Sequence, residues 1–370
     1  MKYYIIAGEA SGDLHGSNLM KALYKEDPDA DIRFWGGDLM QQTGGTLVKH
    51  YRELAFMGFI EVIFNLKTIL SNIDFCKNDI LKFKPDVIVF IDYPGFNMRI
   101  AKWAKKLGIK THYYISPQIW AWKENRIKDI KGDFDKLYVI LPFEKDFYEK
   151  KHHFPVEFVG HPLIDAIHNR QETGQEDFTK ENNLDKKPIV AILPGSRKQE
   201  ITKMLSVMLS VVADFPDYQF VIAGAPSQEY SFYEPFLKDK NVKFISNKTY
   251  DLLSHSTAAL VTSGTATLET ALFKVPEVVC YKGSWASYQI AKRIITLKYI
   301  SLVNLIMDQE VVTELIQEKC NTKNIKNELQ KLLEPNYRKQ LLAQYDTLEN
   351  KLGGIGASEK TARLIVRSLK

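Results

Sequence analysis

Residues 263–269, with the sequence Ser-Gly-Thr-Ala-Thr-Leu-Glu, could bind a phosphorylated ligand. An apolar run directly before them predicts a buried strand, and the residues after them predict a helix. A strand that ends in Ser263, Gly264 and Thr265 and turns into a helix presents free backbone N–H groups and hydroxyls, which suit a phosphate. Glu269 lies one turn further along and could accept hydrogen bonds from a diol. Together these residues predict a nucleotide site, and the diol acceptor favours a nucleotide that carries a sugar.

A second phosphate candidate lies at residues 193–197, Leu-Pro-Gly-Ser-Arg, directly after another predicted strand. In this turn Gly195 and Ser196 would let the backbone approach a ligand, and Arg197 supplies a forked cationic donor that suits a diphosphate. The alternative is an ordinary strand-to-helix turn with a solvated arginine. Because ligands of doubly wound sheets bind outside the carboxyl ends of the strands, two such turns on neighbouring strands favour the binding interpretation.

Asp92 is the candidate catalytic carboxylate, and it follows the apolar run 87–91. A carboxylate at the carboxyl end of a central parallel strand lies at the ligand crevice, and Pro94 and Gly95 would turn the chain away from it. Held at the crevice, Asp92 could take a proton from a hydroxyl nucleophile, a role that contributes roughly 10²–10⁴ in rate. The alternative is that Asp92 caps the following helix.

Residues 8–16, GEASGDLHG, follow the first predicted strand and begin a helix. They bring backbone N–H groups, a hydroxyl, a carboxylate and an imidazole to one strand end, which favours a contact with an acceptor phosphate or a donor sugar. The alternative is a helix cap with a surface histidine. The pattern is not Gly-x-Ser-x-Gly, so a hydrolase nucleophile elbow is disfavoured. The candidate contact residues are Gly8, Glu9, Ser11, Gly12 and His15.

Three apolar or aromatic segments are out of keeping with a purely water-soluble substrate. Residues 55–64 are apolar almost all round, residues 116–122 place tryptophans beside a basic run, and residues 285–293 form a weaker patch of that kind. The alternatives are a buried helix for the first segment and a solvated basic face with core tryptophans for the others. The candidate membrane or acyl-chain residues are Phe56, Met57, Phe59, Ile60, Trp120 and Trp122; the basic run is Lys123, Arg126, Lys128 and Lys131; the weaker patch is Trp285, Tyr288, Lys292 and Arg293.

The 370 residues, 45% hydrophobic and 26% charged, have the composition of a soluble globular protein with room for two domains. The net charge of +5 is too weak to argue for nucleic acid but is compatible with an anionic substrate or an acidic membrane surface. Three cysteines without metal-like spacing favour a reduced, cytoplasmic setting. We find no signal peptide or membrane-spanning run, so any membrane contact is expected to be peripheral. Dinucleotide and Walker glycine patterns are missing, which disfavours NAD and ATP.

Short continuous apolar runs alternate with helical patterns, which predicts an α/β protein with parallel sheets covered on both faces. We expect two domains, at residues 1–165 and 166–345, separated by a hinge near residues 160–162, and a helical tail at 346–370. The predicted strands are residues 3–7, 32–35, 87–91, 111–115, 137–141 and 157–159 in the first half, and 189–193, 220–223, 242–245, 258–261 and 276–281 in the second.

The tail carries an amphipathic final helix, residues 356–370, which follows the break Gly-Gly-Ile-Gly at residues 353–356. Ser358 could cap this helix. A helix this amphipathic needs a surface to cover, and it could pack on its own domain or cross back to the first one.

Eight motifs in series resemble lipid-A-disaccharide synthase, the glycosyltransferase family of outer-membrane lipid A assembly. The resemblance runs over essentially the whole chain and is highly specific. It implies a GT-B fold, in which two Rossmann-like domains with parallel sheets face each other across a cleft. The motifs are residues 8–16 (GEASGDLHG), 58–62 (GFIEV), 92–97 (DYPGFN), 116–122 (SPQIWAW), 158–162 (FVGHP), 193–197 (LPGSR), 263–269 (SGTATLE) and 299–305 (YISLVNL).

The resemblance also implies an activity. The donor would be UDP-2,3-diacylglucosamine and the acceptor 2,3-diacylglucosamine 1-phosphate (lipid X). The products would be a β-1,6-linked disaccharide phosphate and UDP, formed with inversion and without a metal or other cofactor. The enzyme would be cytoplasmic, peripherally bound to the inner membrane, and could form a homodimer by exchange of C-terminal regions. No nucleic-acid partner is expected.

Carried over by position, the resemblance makes Asp92 the base for the acceptor 6-hydroxyl and Glu269 the partner of the ribose hydroxyls. Gly8, Glu9, Ser11 and Gly12 would line the cleft from the first domain. Gln118 with Ile119 departs from the small or apolar residues usual in this segment, so acyl-chain selectivity could differ here. The positions expected around UDP are Gly195, Ser196, Arg197, Ser263, Gly264, Thr265, Glu269 and Asn304.

Two other functions remain open from the residues alone. A UDP-N-acetylglucosamine epimerase would share the fold and the Ser-Gly phosphate turn, but it would not need the apolar segment 55–64 or the interfacial tryptophans. It would also isomerise its substrate without an acceptor. A non-catalytic nucleotide-sugar or lipid-binding protein would have no need of Asp92.

Overall fold

The chain forms two compact α/β units. Unit 1 consists of Met1–His168 and Leu352–Lys370, and unit 2 consists of Asn169–Lys351. The computed structural model describes residues 1–54, 66–238, 240–283 and 298–370.

Unit 1 contains a seven-stranded sheet in which every pairing is parallel, with the strand order β3-β2-β1-β4-β5-β6-β7. Its elements are β1 Lys2–Ala7, α1 Ala10–Glu26, β2 Asp31–Gly36, α2 Asp38–Thr43, β3 Thr46–His50, α3 Leu66–Phe83, β4 Val87–Ile91, α4 Pro94–Lys106, β5 Lys110–Tyr114, α5 Ile119–Trp122, α6 Ile127–Asp133, β6 Lys136–Val139, α7 Pro142–Asp146, β7 Glu157–Phe158 and α8 Pro162–His168. Short 3₁₀ turns lie at Tyr51–Glu53 and Glu124–Arg126, and a π-helical turn at Phe147–Lys151.

Unit 2 contains a six-stranded parallel sheet with the order β10-β9-β8-β11-β12-β13. Its elements are α9 Gln175–Glu181, β8 Ile189–Leu193, α10 Lys198–Met208, β9 Gln219–Gly224, α11 Tyr230–Leu237, β10 Val242–Ser246, α12 Thr249–Ser254, β11 Ser256–Thr262, α13 Thr265–Leu272, β12 Glu277–Tyr281, α14 Leu302–Met307, β13 Thr313–Ile316, α15 Thr322–Leu333 and α16 Pro335–Lys351. The 3₁₀ turns are Leu209–Asp214 and Gln317–Lys319. The last helix of the chain, α17 Ala357–Leu369, belongs to unit 1.

Both sheets have the strand order of a doubly wound nucleotide-binding fold, so each has one point where the order reverses. In unit 1 this switch point lies between β1 and β4, and in unit 2 it lies between β8 and β11. The central strands β4 and β8 are buried at every position, which is why they appear in the sequence as continuous apolar runs. The predicted α/β class with two Rossmann-like domains is confirmed.

Two strands were missed, and both lie at a sheet edge. β3 has one exposed and four half-buried residues, and β13 has one buried residue among four. Their sequences are TLVKH and TELI. Polar residues interrupt both, so neither strand has the continuous apolar run by which the central strands were identified.

The core of unit 1 lies between its sheet and the surrounding helices, and its largest fully buried side chain is that of Trp35. The Trp35 indole N–H donates to the Tyr4 hydroxyl at 2.9 Å, and that hydroxyl donates to Asp79 on α3 at 2.8 Å. Arg33 completes the cluster through an ion pair with Asp79 at 2.6 Å. Asp79 therefore connects α3 to strands β1 and β2 of the sheet. Polar groups buried in this way need such partners, because an unpaired one would cost free energy.

The chain returns to unit 1 at Leu352 through a close approach of two glycines. Gly160 and Gly353 have φ of +94° and +92°, and a Cβ on Gly353 would lie 3.1 Å from the Gly160 Cα. The His161 N–H donates to the Leu352 carbonyl oxygen at 3.0 Å. Residues 160–162, where we predicted a hinge, lie inside unit 1 and bind the returning chain there.

The unit boundaries also differ from the predicted residue numbers. The predicted boundary after residue 165 falls inside α8, which continues to His168. The predicted start of the tail at residue 346 falls inside α16, which runs unbroken to Lys351 in unit 2. A helix moves as one body, so each boundary lies at a helix end.

Asp165, and not Ser358, caps the final helix. The two Asp165 carboxylate oxygens accept the backbone N–H groups of Gly356 at 2.7 Å and of Ser358 at 2.9 Å. The side chain therefore satisfies the free N–H groups at the start of α17 and places a negative charge at the positive end of the helix dipole. Helix α17 packs against α1 and α8.

We predict that Asp165→Ala lowers the free energy of unfolding by about 1–2 kcal/mol, as for the loss of a helix cap. Amide hydrogen exchange should accelerate along α17, because its first N–H groups lose their acceptor. Ser358→Ala is the matched control, since it keeps the backbone N–H that Asp165 binds. Equal destabilisation by the two substitutions, measured by urea denaturation, would contradict this assignment of the cap.

Candidate active site

The candidate active site of unit 1 lies at its switch point. Residues 8–16 follow β1, and Asp92 follows the adjacent parallel strand β4. The carboxyl ends of adjacent parallel strands lie at one edge of a sheet, so the topology brings these two sequence-predicted segments together.

Asp92 occupies an unusual backbone turn. Asp92 and Tyr93 both adopt left-handed backbone conformations, with φ of +44° and +49°. Residues other than glycine rarely adopt such conformations. The Asp92 carbonyl oxygen accepts hydrogen bonds from the Asn97 side chain at 2.7 Å and from the Tyr113 hydroxyl at 2.8 Å. The residue that precedes helix α4 is Tyr93, so Asp92 does not cap the helix.

The turn places the Tyr93 ring against the first strand end. A Cβ on Gly8 would lie 2.3 Å from this ring, so only glycine leaves room for it. The Phe96 ring stacks on the Tyr93 ring, with 5.7 Å between their centroids. The backbone at Gly8 and the turn at Asp92 are therefore fitted to each other.

The Asp92 carboxyl group has a raised pKa of about 6. Burial is the main cause, since it disfavours the charged form, and the negative charge of Glu9 adds to the effect. The Tyr93 backbone N–H acts in the opposite direction. A carboxylate with such a pKa is suited to accept a proton near neutral pH, because it is mostly ionised but more basic than an exposed aspartate.

A cavity of about 300 Å³ opens beside Asp92 within unit 1. This volume is at the lower end of the range for small-molecule sites. The walls combine apolar side chains with two acidic and two basic residues. They consist of Asp92, Pro94, Ile115, Ser116, Pro117, Gln118, Ile119, Lys123, Arg126, Ile140, Leu141 and Glu144.

Glu144 is a buried carboxyl group in the cavity wall that we did not predict. Its Oε2 accepts the backbone N–H groups of Ile140 at 3.1 Å and Leu141 at 2.9 Å, and its Oε1 accepts the Trp120 indole N–H at 3.2 Å. Burial raises its pKa to about 7, and these hydrogen bonds oppose the rise. Pro142 at the start of α7, with a glutamate two residues later, is a helix-start signal that could have identified it.

Trp120, which we predicted as a membrane or acyl-chain residue, makes two contacts within unit 1. Besides its bond to Glu144, its ring packs edge-on against Phe143 with 4.8 Å between centroids. The indole is therefore held against Glu144, which lines the cavity, and its contact with a membrane or an acyl chain stays a prediction. The side chain of Trp122 and the predicted residues Phe56, Met57, Phe59, Ile60, Trp285, Tyr288, Lys292 and Arg293 lie outside what the structure describes. Among the residues that it does describe, no helix is long and apolar enough to span a bilayer.

The other predicted residues of unit 1 lie along the start of α1. Glu9 and Ser11 are exposed, whereas Gly12 is buried against Ala7. Burial lowers the pKa of His15 to about 4, so its ring is neutral at physiological pH. Its Nδ1 is buried and has no hydrogen-bond partner among the described residues.

Asp13 is a residue of the same motif whose role we missed. Its carboxylate accepts the backbone N–H groups of Gly37 at 2.7 Å, Leu39 at 3.1 Å and Met40 at 3.0 Å. It therefore caps α2 from α1 and serves the fold. Its partners lie more than 20 positions away in the sequence, so no local pattern indicated this role.

In unit 2 the predicted phosphate turns also flank the switch point. Gly195 follows β8 with φ of +101°, and a Cβ there would lie 2.2 Å from the Glu200 carboxylate. The same carboxylate accepts the Ser196 N–H at 3.1 Å, and this hydrogen bond fixes the conformation of the turn. The Arg197 side chain is exposed and makes no hydrogen bond or ion pair with another residue that the structure describes.

The second turn follows β11, the strand adjacent to β8. The Ser263 hydroxyl donates to the Ile300 carbonyl oxygen at 3.0 Å, and Thr265 is exposed at the first position of α13. A Cβ on Gly264 would meet no atom of the described residues within 4 Å, so none of these residues covers the N-terminus of α13 at this point. Glu269 accepts the Tyr250 hydroxyl at 3.0 Å, and burial raises its pKa.

The Asn304 side chain is fully engaged within the protein. Its amide N–H groups donate to the Val312 carbonyl oxygen at 2.8 Å and to Glu314 at 2.9 Å. Its oxygen accepts the N–H groups of Val311 at 2.8 Å and Val312 at 3.0 Å. Glu314 in turn accepts the N–H of Ile300, whose carbonyl binds Ser263. Asn304 therefore supports the phosphate turn through Glu314 on β13 and the Ile300 backbone, and its contact with UDP stays a prediction.

Comparison with known proteins gives one family. A family profile described as lipid-A-disaccharide synthetase matches residues 3–365. A lipid-A-disaccharide synthase of Coxiella burnetii (strain CbuG_Q212) is 38% identical over 98% of this chain and 96% of its own length. The lipid-A-disaccharide synthase of Syntrophus aciditrophicus is 39% identical over 99% of this chain and 97% of its own length.

Solved structures share the fold at low sequence identity. A UDP-GlcNAc 2-epimerase from Neisseria meningitidis, bound to UDP-GlcNAc, aligns with a TM-score of 0.72 at 15% identity and covers 99% of this chain and 100% of its own. The calicheamicin glycosyltransferase CalG4 aligns with a TM-score of 0.60 at 12% identity and covers 100% and 98%. These similarities confirm the predicted GT-B type of fold.

We predict that Gly8→Ala lowers the free energy of unfolding by about 1–3 kcal/mol, because the added methyl group would overlap the Tyr93 ring. Gly95→Ala is the matched control in the same site, since a Cβ on Gly95 would meet no atom within 4 Å in the described part of the chain. This control should change stability by less than about 1 kcal/mol. Urea denaturation of both variants tests the fit, and equal effects would refute it.

Proposed function

This chain belongs to the lipid-A-disaccharide synthetase family, and on that premise we propose that Asp92 is the base that activates the acceptor hydroxyl. The chain is a glycosyltransferase of lipid A disaccharide synthesis. The observation that carries the Asp92 assignment is the position of its half-buried carboxyl group in the wall of a cavity at the switch point of unit 1, where its pKa is raised to about 6.

We propose UDP-2,3-diacylglucosamine as the donor and lipid X as the acceptor. The names of the relatives support the acylated substrates. The two turns at the switch point of unit 2 favour a nucleoside diphosphate as ligand, since they offer an exposed arginine and an accessible helix N-terminus. Several structural neighbours were solved with UDP-GlcNAc or UDP, which suits the same class of donor.

In the proposed reaction the acceptor 6-hydroxyl attacks the anomeric carbon of the donor. Asp92 takes the hydroxyl proton, a new C–O bond forms, and the bond from the anomeric carbon to the diphosphate oxygen breaks with inversion. UDP leaves with the bonding electron pair. Arg197 and the N-terminus of α13 would stabilise the developing negative charge. With these groups in place we propose that transfer needs no metal, and activity retained in EDTA would test this.

The epimerase alternative rests on the fold alone, because the epimerase neighbours are about 15% identical whereas the lipid-A-disaccharide synthases are about 38% identical.

We also propose peripheral association with the cytoplasmic face of the inner membrane, which vesicle flotation would test. A homodimer formed by exchange of C-terminal regions would replace the contacts of α17 with α1 and α8 by those of a second copy. Sedimentation equilibrium would test this state.

We predict that Asp92→Asn raises the activation free energy by about 3–5 kcal/mol, because it removes the general base without changing the shape of the side chain. UDP affinity, measured by calorimetry, should stay the same because UDP binds unit 2 in this proposal. Unchanged turnover would remove Asp92 from the mechanism.

The same assignment predicts the pH dependence of kcat/KM for the acceptor. A base works only when it is deprotonated, so activity should rise with pH through about 6, the raised pKa of Asp92, and fall away below it. Glu9→Gln should move this acidic limb to lower pH, because it removes a negative charge that raises the pKa of Asp92. A limb that does not move would exclude this influence of Glu9.

We predict that Arg197→Ala weakens UDP binding by about 1.5–3 kcal/mol, the range for a charge-assisted hydrogen bond. Lys203→Ala is the control, since Lys203 is an exposed cation further along the same helix, α10. Calorimetric titration with UDP measures both. If the two variants bind UDP as tightly as the parent protein, the assignment of Arg197 is wrong.

A further inference from the structure

Arg126 faces the same cavity as Asp92 and is not used by the mechanism above. It lies at the end of the 3₁₀ turn Glu124–Arg126, is half-buried, and lines the cavity together with Lys123. Its guanidinium makes no hydrogen bond or ion pair with any other residue in the described part of the chain. A half-buried guanidinium that faces a cavity is a ready donor for an anion.

The nearby acidic side chains do not neutralise it. Glu124 is engaged in an ion pair with Lys151 at 2.7 Å, and it also lies 3.0 Å from the His152 ring. The Glu144 carboxylate is occupied by two backbone N–H groups and the Trp120 indole. No ion pair joins Arg126 to Asp92, although both residues line the cavity.

The charges of Asp92 and Arg126 nevertheless both act on the same buried residue, Tyr113. The Tyr113 hydroxyl donates to the Asp92 carbonyl oxygen at 2.8 Å. The pKa of Tyr113 is raised by burial and by the charge of Asp92, and the charge of Arg126 opposes this rise. The cavity therefore has a carboxylate at one place and a guanidinium at another, separated by more than an ion-pair distance. A ligand with a hydroxyl and an anionic group would match both.

We propose that Arg126, with Lys123 beside it, binds the phosphate monoester of the acceptor sugar, while Asp92 meets the acceptor hydroxyl. The inference rests on the proposed function for the identity of the ligand. The cavity of about 300 Å³ limits the ligand portion inside it to about one sugar phosphate, so acyl chains would lie outside. The phosphate contact would orient the sugar with its hydroxyl towards the base.

The test compares two acceptors, with and without the 1-phosphate, and four proteins. These are the parent chain, Arg126→Met, Arg126→Lys and the control Lys128→Met, which removes an exposed cation two residues away. We expect Arg126→Met to raise the KM for the phosphorylated acceptor roughly 10- to 100-fold, and Arg126→Lys to raise it less. The KM for the donor, and the KM for the acceptor without phosphate, should stay the same.

Three results would overturn the proposal. An equal loss with both acceptors would show that Arg126 does not recognise the phosphate. An unchanged acceptor KM, with weaker binding to phosphatidylglycerol vesicles in both Arg126→Met and Lys128→Met, would assign the charge to the bilayer. Unchanged kinetics in Arg126→Met would exclude any contact. Thermal unfolding of Arg126→Met, together with the kinetics of the conservative Arg126→Lys, separates a folding defect from a lost contact.

Direct binding of glucosamine 1-phosphate, followed by NMR, separates this inference from the proposed function. If the parent chain forms no disaccharide, the proposed function fails. The anion site then stands if Arg126→Met weakens binding of glucosamine 1-phosphate while Lys128→Met does not. It is refuted if the two variants bind this sugar phosphate as the parent chain does.

Discussion

The backbone carbonyl of Asp92 accepts hydrogen bonds from Asn97 and Tyr113, and the candidate site depends on this interaction. Two consecutive left-handed residues cost free energy, of order 1–3 kcal/mol each, and they persist only where the surroundings fix them. Here the fixing groups come from helix α4 and strand β5, and glycine at position 8 makes room for the Tyr93 ring. The strained turn places the Asp92 carboxyl group in the cavity wall, where burial raises its pKa.

The candidate residues of unit 2 also lie at the switch point of their sheet, but they differ in charge from those of unit 1. The two turns there offer an exposed arginine and a helix N-terminus, and β11 is followed by Ser263, Gly264 and Thr265 where β4 is followed by Asp92. Glu200 binds the Ser196 N–H in the first turn, and Asn304 supports the second turn through Glu314 on β13 and the Ile300 backbone. In the proposed reaction the difference between the two sites follows from charge, since an anionic leaving group needs donors and a hydroxyl nucleophile needs a base.

The sequence predicted the central strands and both switch-point segments, because buried parallel strands leave continuous apolar runs and their ends carry turn and polar residues. Strands β3 and β13 were missed because polar residues interrupt their short apolar stretches. Several side-chain contacts were also missed, because their partners are distant in the sequence or are backbone groups. Asp165 caps α17 in place of Ser358, Asn304 binds Val312, and Trp120 bonds to Glu144. Such pairings depend on packing, which no local pattern encodes. The roles of Asp92, Arg197 and Glu269 in the reaction remain predictions.

We propose that the switch-point carboxylate of unit 1 and the phosphate turns of unit 2 serve one transfer reaction. The most direct measurement incubates the chain with UDP-2,3-diacylglucosamine and lipid X and analyses the products by mass spectrometry, with a parallel incubation in UDP-N-acetylglucosamine alone. We predict UDP and a disaccharide phosphate in the first reaction and no isomerised sugar in the second. Epimerisation without an acceptor, with no disaccharide from the acylated pair, would contradict it.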